Sequence, residues 1–245
     1  MSEILKRGPV VAIDGPAGTG KSSATKRLAD ALGFIHIDTG ALYRSIASLM
    51  LQRGGIVEEG ASKEELEAFG VRATELARSV HLEFKRVAGK NPANRIFADG
   101  KDITDFIRTS EVSMAASRVS AVSGVRAALL GLQRQMGCVG KSILEGRDIG
   151  TVIFPDADIK FFLTASVDER AKRRLSELEV AGADAPSFQE VKTQIIARDH
   201  GDSSRAIAPL KKAEDALQID TSELTLDEVV KTMETWVRER LGLSK

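Results

Sequence analysis

The sequence predicts an α/β fold: a parallel sheet flanked by helices. Three observations carry this reading. Short β-branched runs recur along the chain and suit strands buried on both faces. Stretches with apolar residues at helical spacing separate them, the order of βαβ units with right-handed crossovers. A glycine-rich turn joins the first run to the first helical stretch.

Taken in order, Val10-Val11-Ala12-Ile13 is the first strand, ended by Asp14 and the glycine-rich turn. From Lys21, Ala24, Leu28, Ala31 and Leu32 mark a helix that Gly33 stops. Phe34–Ile37 is a second strand, and a helix from about Gly40 runs to the Gly54-Gly55 break. Near Ser79 the pattern changes: Val80, Leu82 and Phe84 alternate with polar residues, and Arg95–Ala98 leads into the hairpin signal Asp99-Gly100. Residues 77–108 therefore read as a small antiparallel insertion. Helical patterning resumes from Ser110 to Met136. Ser142–Leu144, Ile159–Leu163 and Leu217–Ile219 read as further strands, with basic helices near 167–181 and 187–198 between the last two. Thr225-Leu226-Asp227-Glu228 is a capping box opening a last helix, with Val229, Val230, Met233, Val237 and Leu241 on its apolar face.

Composition excludes several classes of function. The 245 residues are 42% hydrophobic and 29% charged, enough apolar surface for a core. Lys plus Arg and Asp plus Glu number 35 each, so bulk electrostatics do not favour nucleic acid. One Tyr and one Trp are too few for a base-stacking platform. Cys138 is the single cysteine, which excludes an intrachain disulfide, and no Cys/His cluster suggests zinc. Apolar runs are far short of a membrane span, and the opening MSEILKRGP lacks a signal-peptide core. The expectation is a cytoplasmic protein with neither a nucleic-acid nor a membrane partner. It reads as one domain over 1–245.

Gly15-Pro16-Ala17-Gly18-Thr19-Gly20-Lys21-Ser22 fits G-x-x-x-x-G-K-[ST], with a strand before it and a helix after. Small residues let successive backbone N–H groups face a polyphosphate, and the helix dipole points at the same anion. Lys21 can reach the β and γ phosphates, and the Ser22 hydroxyl can ligate Mg²⁺. Ser23 extends the candidate ATP site. Asp14 either orients water around the metal or caps the turn. This loop alone leaves GTPases, motor ATPases and small-molecule kinases open.

Three more constellations narrow the choice. Asp38-Thr39-Gly40-Ala41-Leu42-Tyr43-Arg44 follows the second strand. Glu145-Gly146-Arg147-Asp148-Ile149-Gly150-Thr151-Val152 and Phe154-Pro155-Asp156-Ala157 follow a later one. Arg198-Asp199-x-x-Asp202-Ser203-x-Arg205 lies beyond, before Pro209-Leu210. With the phosphate loop, and collinear from about Val10 to the C-terminus, these motifs make the chain resemble the bacterial-type cytidylate kinases, nucleoside monophosphate kinases of the P-loop NTPase type.

The resemblance implies a P-loop sheet with an NMP-binding insertion at 77–108 and a helical lid at 182–206. It implies ATP as donor, Mg²⁺, CMP or dCMP as acceptor, and a monomer. Lys21, Arg147, Arg198 and Arg205 would be catalytic. Asp38, Thr39, Arg44 and Arg147 would serve the acceptor and its phosphate, Ser117, Arg126 and Asp148 the cytosine, Asp202 with Arg198 the sugar, and Arg205 a phosphate. The chemistry agrees. Transfer between nucleotides gathers negative charge, so convergent cations are required, and planar guanidinium forks suit phosphate. The acceptor oxygen is already largely ionised, so no general base is needed. Departures from the family pattern are Thr39 for Ser, Glu145 for Asp, and Gly201 at a lid position where arginine is frequent. His36 reads as a strand residue and His81 as a surface residue of the insertion. The alternatives are a kinase for another small acceptor, such as a sugar, shikimate or a different monophosphate, and a nucleotide-binding regulatory protein without an acceptor.

Overall fold

Every residue from Val10 to Asp14 is buried, which is what a central strand covered on both faces demands of its sequence. The computed structural model describes residues 7–57, 60–90, 94–180 and 186–244. In chain order the elements are β1 (Val10–Asp14), α1 (Lys21–Leu32), β2 (Ile35–Asp38), α2 (Gly40–Gln52), α3 (Lys63–Ser79), β3 (Leu82–Arg86), β4 (Asn94–Ala98) and β5 (Lys101–Asp102). There follow α4 (Ser110–Ala121), α5 (Ser123–Gly137), β6 (Ser142–Gly146), β7 (Ile159–Thr164), α6 (Val167–Val180), α7 (Phe188–Ser203), β8 (Leu217–Asp220) and α8 (Leu226–Leu241). The chain divides into two compact units.

The first unit comprises Met1–Asp38 and Arg134–Lys245. Its sheet has the order β2-β6-β1-β7-β8, with each neighbouring pair parallel. The order places β1 between two strands far along the chain, so the turn after β1 opens at the C-terminal edge of the sheet, where ligands collect in open α/β folds. Ile13, Ile143, Phe161 and Leu163 from the strands bury against Leu28 of α1 and Met233 and Val237 of α8. The α8 capping box is present: Thr225 accepts from the Glu228 amide, and the Glu228 carboxylate takes the Thr225 amide. Helices α6 and α7 pack through Ala171, Val191 and Ile195. After β6 the backbone makes one π-type turn, Ile149–Ile153.

The second unit is Thr39–Gln133. Helix α2 is buried nearly all round, by Ala41, Leu42, Tyr43, Ile46, Ala47 and Met50, and packs against α4. An antiparallel sheet of order β3-β4-β5 turns at Asp99-Gly100 as the hairpin signal predicts. Arg95 on β4 binds Asp102 and Asp105 and ties the sheet to the turn beyond it.

Three departures from the sequence reading concern helices. Helix α3 fills a stretch to which the pattern assigned no element; it starts with its own capping box, Ser62 and Glu65. The helical stretch Ser110–Met136 is two helices, broken where Val122 adopts an extended backbone. Helix α7 continues past 198 to Ser203. Of the segments expected as insertion and lid, residues 91–93 and 182–185 lie outside the described residues.

Candidate active site

The phosphate loop is shaped by its glycines. Gly15 has φ +146°, and a Cβ there would sit 2.1 Å from the Leu163 carbonyl oxygen, so any side chain would push the loop off β7. Gly18, at φ +78°, lets the loop pass under Arg170, whose Cβ would be 3.0 Å from an added methyl. Arg170 is buried; it donates to the Ala17 carbonyl at 3.2 Å and grips Asp199 of α7 with two bonds of 3.0 and 2.6 Å. One turn on, Arg173 binds the side chain and carbonyl of Thr221, whose hydroxyl lies 3.1 Å from the Thr19 carbonyl. The loop is thus braced from α6 and from the end of β8.

Lys21 is the first residue of α1 and is buried. Its Nζ donates to the Pro16 carbonyl at 2.5 Å and lies 3.3 Å from Thr19 Oγ1, which lays the cation across the loop. Burial pushes its pKa well below the ordinary value, and the nearby charges of Arg147 and Arg198 push the same way against Glu145 and Asp14. An ammonium so placed gains when a polyanion enters. Ser22 donates its hydroxyl proton to Glu145 Oε2 at 2.7 Å, while Glu145 Oε1 faces His36 Nε2 at 2.8 Å. Burial lowers the His36 pKa, but the bond and charge of Glu145, with Asp38, outweigh it and hold it above the ordinary value. Ser23 stands exposed on the first turn of α1.

The three arginines expected to be catalytic meet at Asp202. Arg147 donates from Nε to Asp202 Oδ2 at 3.0 Å, Arg205 places Nη2 3.7 Å from Oδ1 and bonds the Asp202 carbonyl, and Arg198 acts on the same carboxylate. Burial raises the pKa of Asp202, yet the three guanidiniums carry it below the ordinary carboxylate range. Asp14 accepts from the Ile149 and Gly150 amides at 2.8 Å each, so it caps the π-type turn after β6 and not the glycine-rich turn that follows it in the chain. Desolvation, with Asp148 nearby, pushes its pKa up to about 6 against those two bonds. Asp148, at the start of the turn, is itself buried.

Within the second unit, Thr39 is buried ahead of α2 and Arg44 lies half-buried on it. Arg126 of α5 stacks on the Tyr43 ring, 5.4 Å from its centroid, and donates to the Ser120 carbonyl at 3.3 Å. Ser120 Oγ in turn donates to the Ser117 carbonyl at 2.9 Å, so the two residues expected to read the base are linked through one turn of α4.

Sequence reasoning passed over Arg170, Arg173 and the His36–Glu145 pair. The basic run Arg170-x-x-Arg173-Arg174 was a usable signal for the first two. His36 carried none, because only the adjacency of β2 and β6 brings it to Glu145.

A glycine-built phosphate loop at the switch point of a parallel sheet, with a lysine and a cluster of arginines around it, defines a P-loop phosphotransferase. A cytidylate kinase family model matches residues 11–239. A cytidylate kinase of Geobacter sp. (strain M21) is 48% identical over 99% of this chain and 98% of its own length, and that of Geobacter sulfurreducens is 47% identical over 98% and 97%. A bifunctional pantoate ligase/cytidylate kinase of Prochlorococcus marinus is 42% identical over 97% of this chain, which spans 44% of it. The chain belongs to the cytidylate kinase family and is a nucleoside monophosphate kinase. Among the described residues no helix is long and apolar enough to cross a membrane.

Proposed function

We propose that this kinase transfers the γ-phosphoryl group of ATP to CMP or dCMP, with Mg²⁺ at Ser22. The observation that carries the reading is the gathering of Arg147, Arg198 and Arg205 on one buried carboxylate beside the phosphate loop. Such cations, held at fixed positions before substrate arrives, stabilise charge as it develops on transferring oxygens.

The residues fit a divalent cation. A serine hydroxyl whose proton is committed to a carboxylate turns its lone pairs outward, and a hard cation bound largely through substrate phosphates needs few protein oxygens. When bound, Mg²⁺ neutralises charge on the donor phosphates. Ser22 would hold it, with Glu145 fixing the hydroxyl.

Lys21 exchanges the Pro16 carbonyl for the donor phosphates, and the polyanion restores its preference for the charged form. Arg147, Arg198 and Arg205 neutralise the transferring group, and the ionised acceptor oxygen attacks the γ-phosphorus without a base as the bond to the β–γ bridging oxygen breaks and ADP leaves. Thr39 and Arg44 of the second unit take the acceptor phosphate, and Ser117 and Arg126 the cytosine. In the first unit Asp148 takes the base amine and Asp202 the sugar. The segments 77–108 and 182–206 serve as acceptor-binding insertion and lid.

A coupled ADP-release assay across CMP, dCMP, UMP, AMP and shikimate tests this. Turnover with CMP and dCMP well above the others is expected. Turnover favouring another acceptor, or none with any, overturns it.

A further inference from the structure

We propose that His36 is a positioning residue for the metal end of the phosphate loop, acting through Glu145 on the Ser22 hydroxyl. The inference rests on the assignment of Ser22 to Mg²⁺ and goes beyond it.

The geometry is a three-member relay. Ser22 Oγ lies 2.7 Å from Glu145 Oε2, and Glu145 Oε1 lies 2.8 Å from His36 Nε2. A carboxylate only accepts, so both neighbours donate: the serine gives its O–H and the imidazole carries its proton on Nε2. The Ser22 hydrogen is thereby turned inward to Glu145, and its lone pairs face outward, as a cation ligand requires. Each carboxylate oxygen has its own donor, and Glu145 is buried, so water competes little for either.

His36 is needed because glutamate is long. The carboxylate reaches Ser22 over three rotatable side-chain bonds, and the buried side chain lies near Lys21, whose ammonium attracts it. The imidazole, on the edge strand β2 beside β6, pins one oxygen and leaves the other for Ser22. Hydrogen bonds behind metal ligands hold them in the binding orientation, and their loss lowers metal affinity by about 10–100-fold.

The test measures ADP binding by calorimetry, with and without Mg²⁺, for the full chain and for His36→Leu, His36→Gln and Ser22→Ala. Mg²⁺ is expected to tighten ADP binding to the parent. In His36→Leu that tightening should shrink by roughly tenfold, while affinity without Mg²⁺ stays within about twofold of the parent. His36→Gln, which keeps a side-chain N–H near the Nε2 position, should restore most of the tightening. The Mg²⁺ concentration for half-maximal turnover should follow the same order, with the acceptor KM unmoved. If His36→Leu fails to fold, His36→Asn, too short for Glu145, replaces it.

Unchanged tightening in His36→Leu, equal losses with and without Mg²⁺, or no rescue by glutamine would each overturn the inference. Ser22→Ala separates the two levels. Full Mg²⁺ tightening in that variant would overturn the Ser22 assignment and the inference together. Loss in Ser22→Ala but not in His36→Leu would overturn the inference alone.

Discussion

Arg147 and Asp202 are joined by a 3.0 Å bond from Nε to Oδ2, linking the loop after β6 to α7 across 55 positions of chain. Asp202 is the counter-charge that lets three guanidiniums share a small volume. Removing one partner of a buried ion cluster leaves uncompensated charge, a cost of about 3–5 kcal/mol.

Asp202→Asn should therefore lower stability by about 3 kcal/mol. Inorganic phosphate should raise the unfolding midpoint of the variant more than that of the parent, because an anion can replace the missing carboxylate. The pH dependence has a definite sign. The native pKa of Asp202 lies below its ordinary value, so its contribution is present above about pH 4 and is lost as pH falls through the native pKa. Thermal unfolding from pH 3 to 7 checks both expectations; a parent-minus-variant margin that grows on acidification would contradict the assignment.

Lys21→Met separates catalysis from stability. Turnover should fall by roughly 10²–10³-fold, the scale for losing one preorganised electrostatic contact. The ligand-free protein should be no less stable than the parent, because burial already disfavours the ammonium. Steady-state rates and urea unfolding on the same sample decide it, and near-normal turnover would remove Lys21 from the chemistry.

Asp14 titrates in the opposite sense to Asp202. With a native pKa of about 6, the folded state keeps a proton that the unfolded chain releases near pH 4. Through this group stability falls as pH rises from about 4 to about 6, by up to ~3 kcal/mol, and is flat above. The stability margin of the parent over Asp14→Asn should narrow across that window. A carboxyl titration followed by NMR with a midpoint near 4 would refute the expectation.

Asp148→Asn tests base recognition. Cytosine presents an amine donor where uracil presents an acceptor, and a carboxylate can only accept. An amide can rotate to donate, so kcat/KM for CMP should drop sharply while that for UMP drops less or rises. The CMP-to-UMP ratio should fall by at least ~10²-fold, since mismatched buried polar groups discriminate strongly. Equal losses for both substrates would make Asp148 a general organiser of the loop.

Much of this was legible in the sequence because the signals were local. The strand before Gly15, the lysine after Gly20 and the Thr225 capping box each sit within a few residues of their partners. Helix α3 was not read, although Ser62 and Glu65 carry the same capping signature as Thr225 and Glu228, and Phe69, Ala73 and Leu76 keep helical spacing. Its thin apolar face gave little contrast against a run of glutamates. The break at Val122 carries only a weak local signal, Ser123-Gly124, which the helical periodicity of both flanks outweighs. The His36–Glu145 pair depends on strand order, which no local pattern encodes.

The placement of β1 has a consequence for how the chain reaches this structure. Val10 registers with Ser142, and Val11 with both Ile143 and Ile159. During synthesis the strand that will be most deeply buried emerges first and its two neighbours emerge late. The stretch Thr39–Gln133 is continuous and can condense in the interval, whereas β1 stays an apolar template with both edges open until β6 and β7 appear. Chaperone dependence and aggregation of ribosome-bound fragments should therefore concentrate on chains long enough to expose Val10–Ile13 but too short to include Ser142.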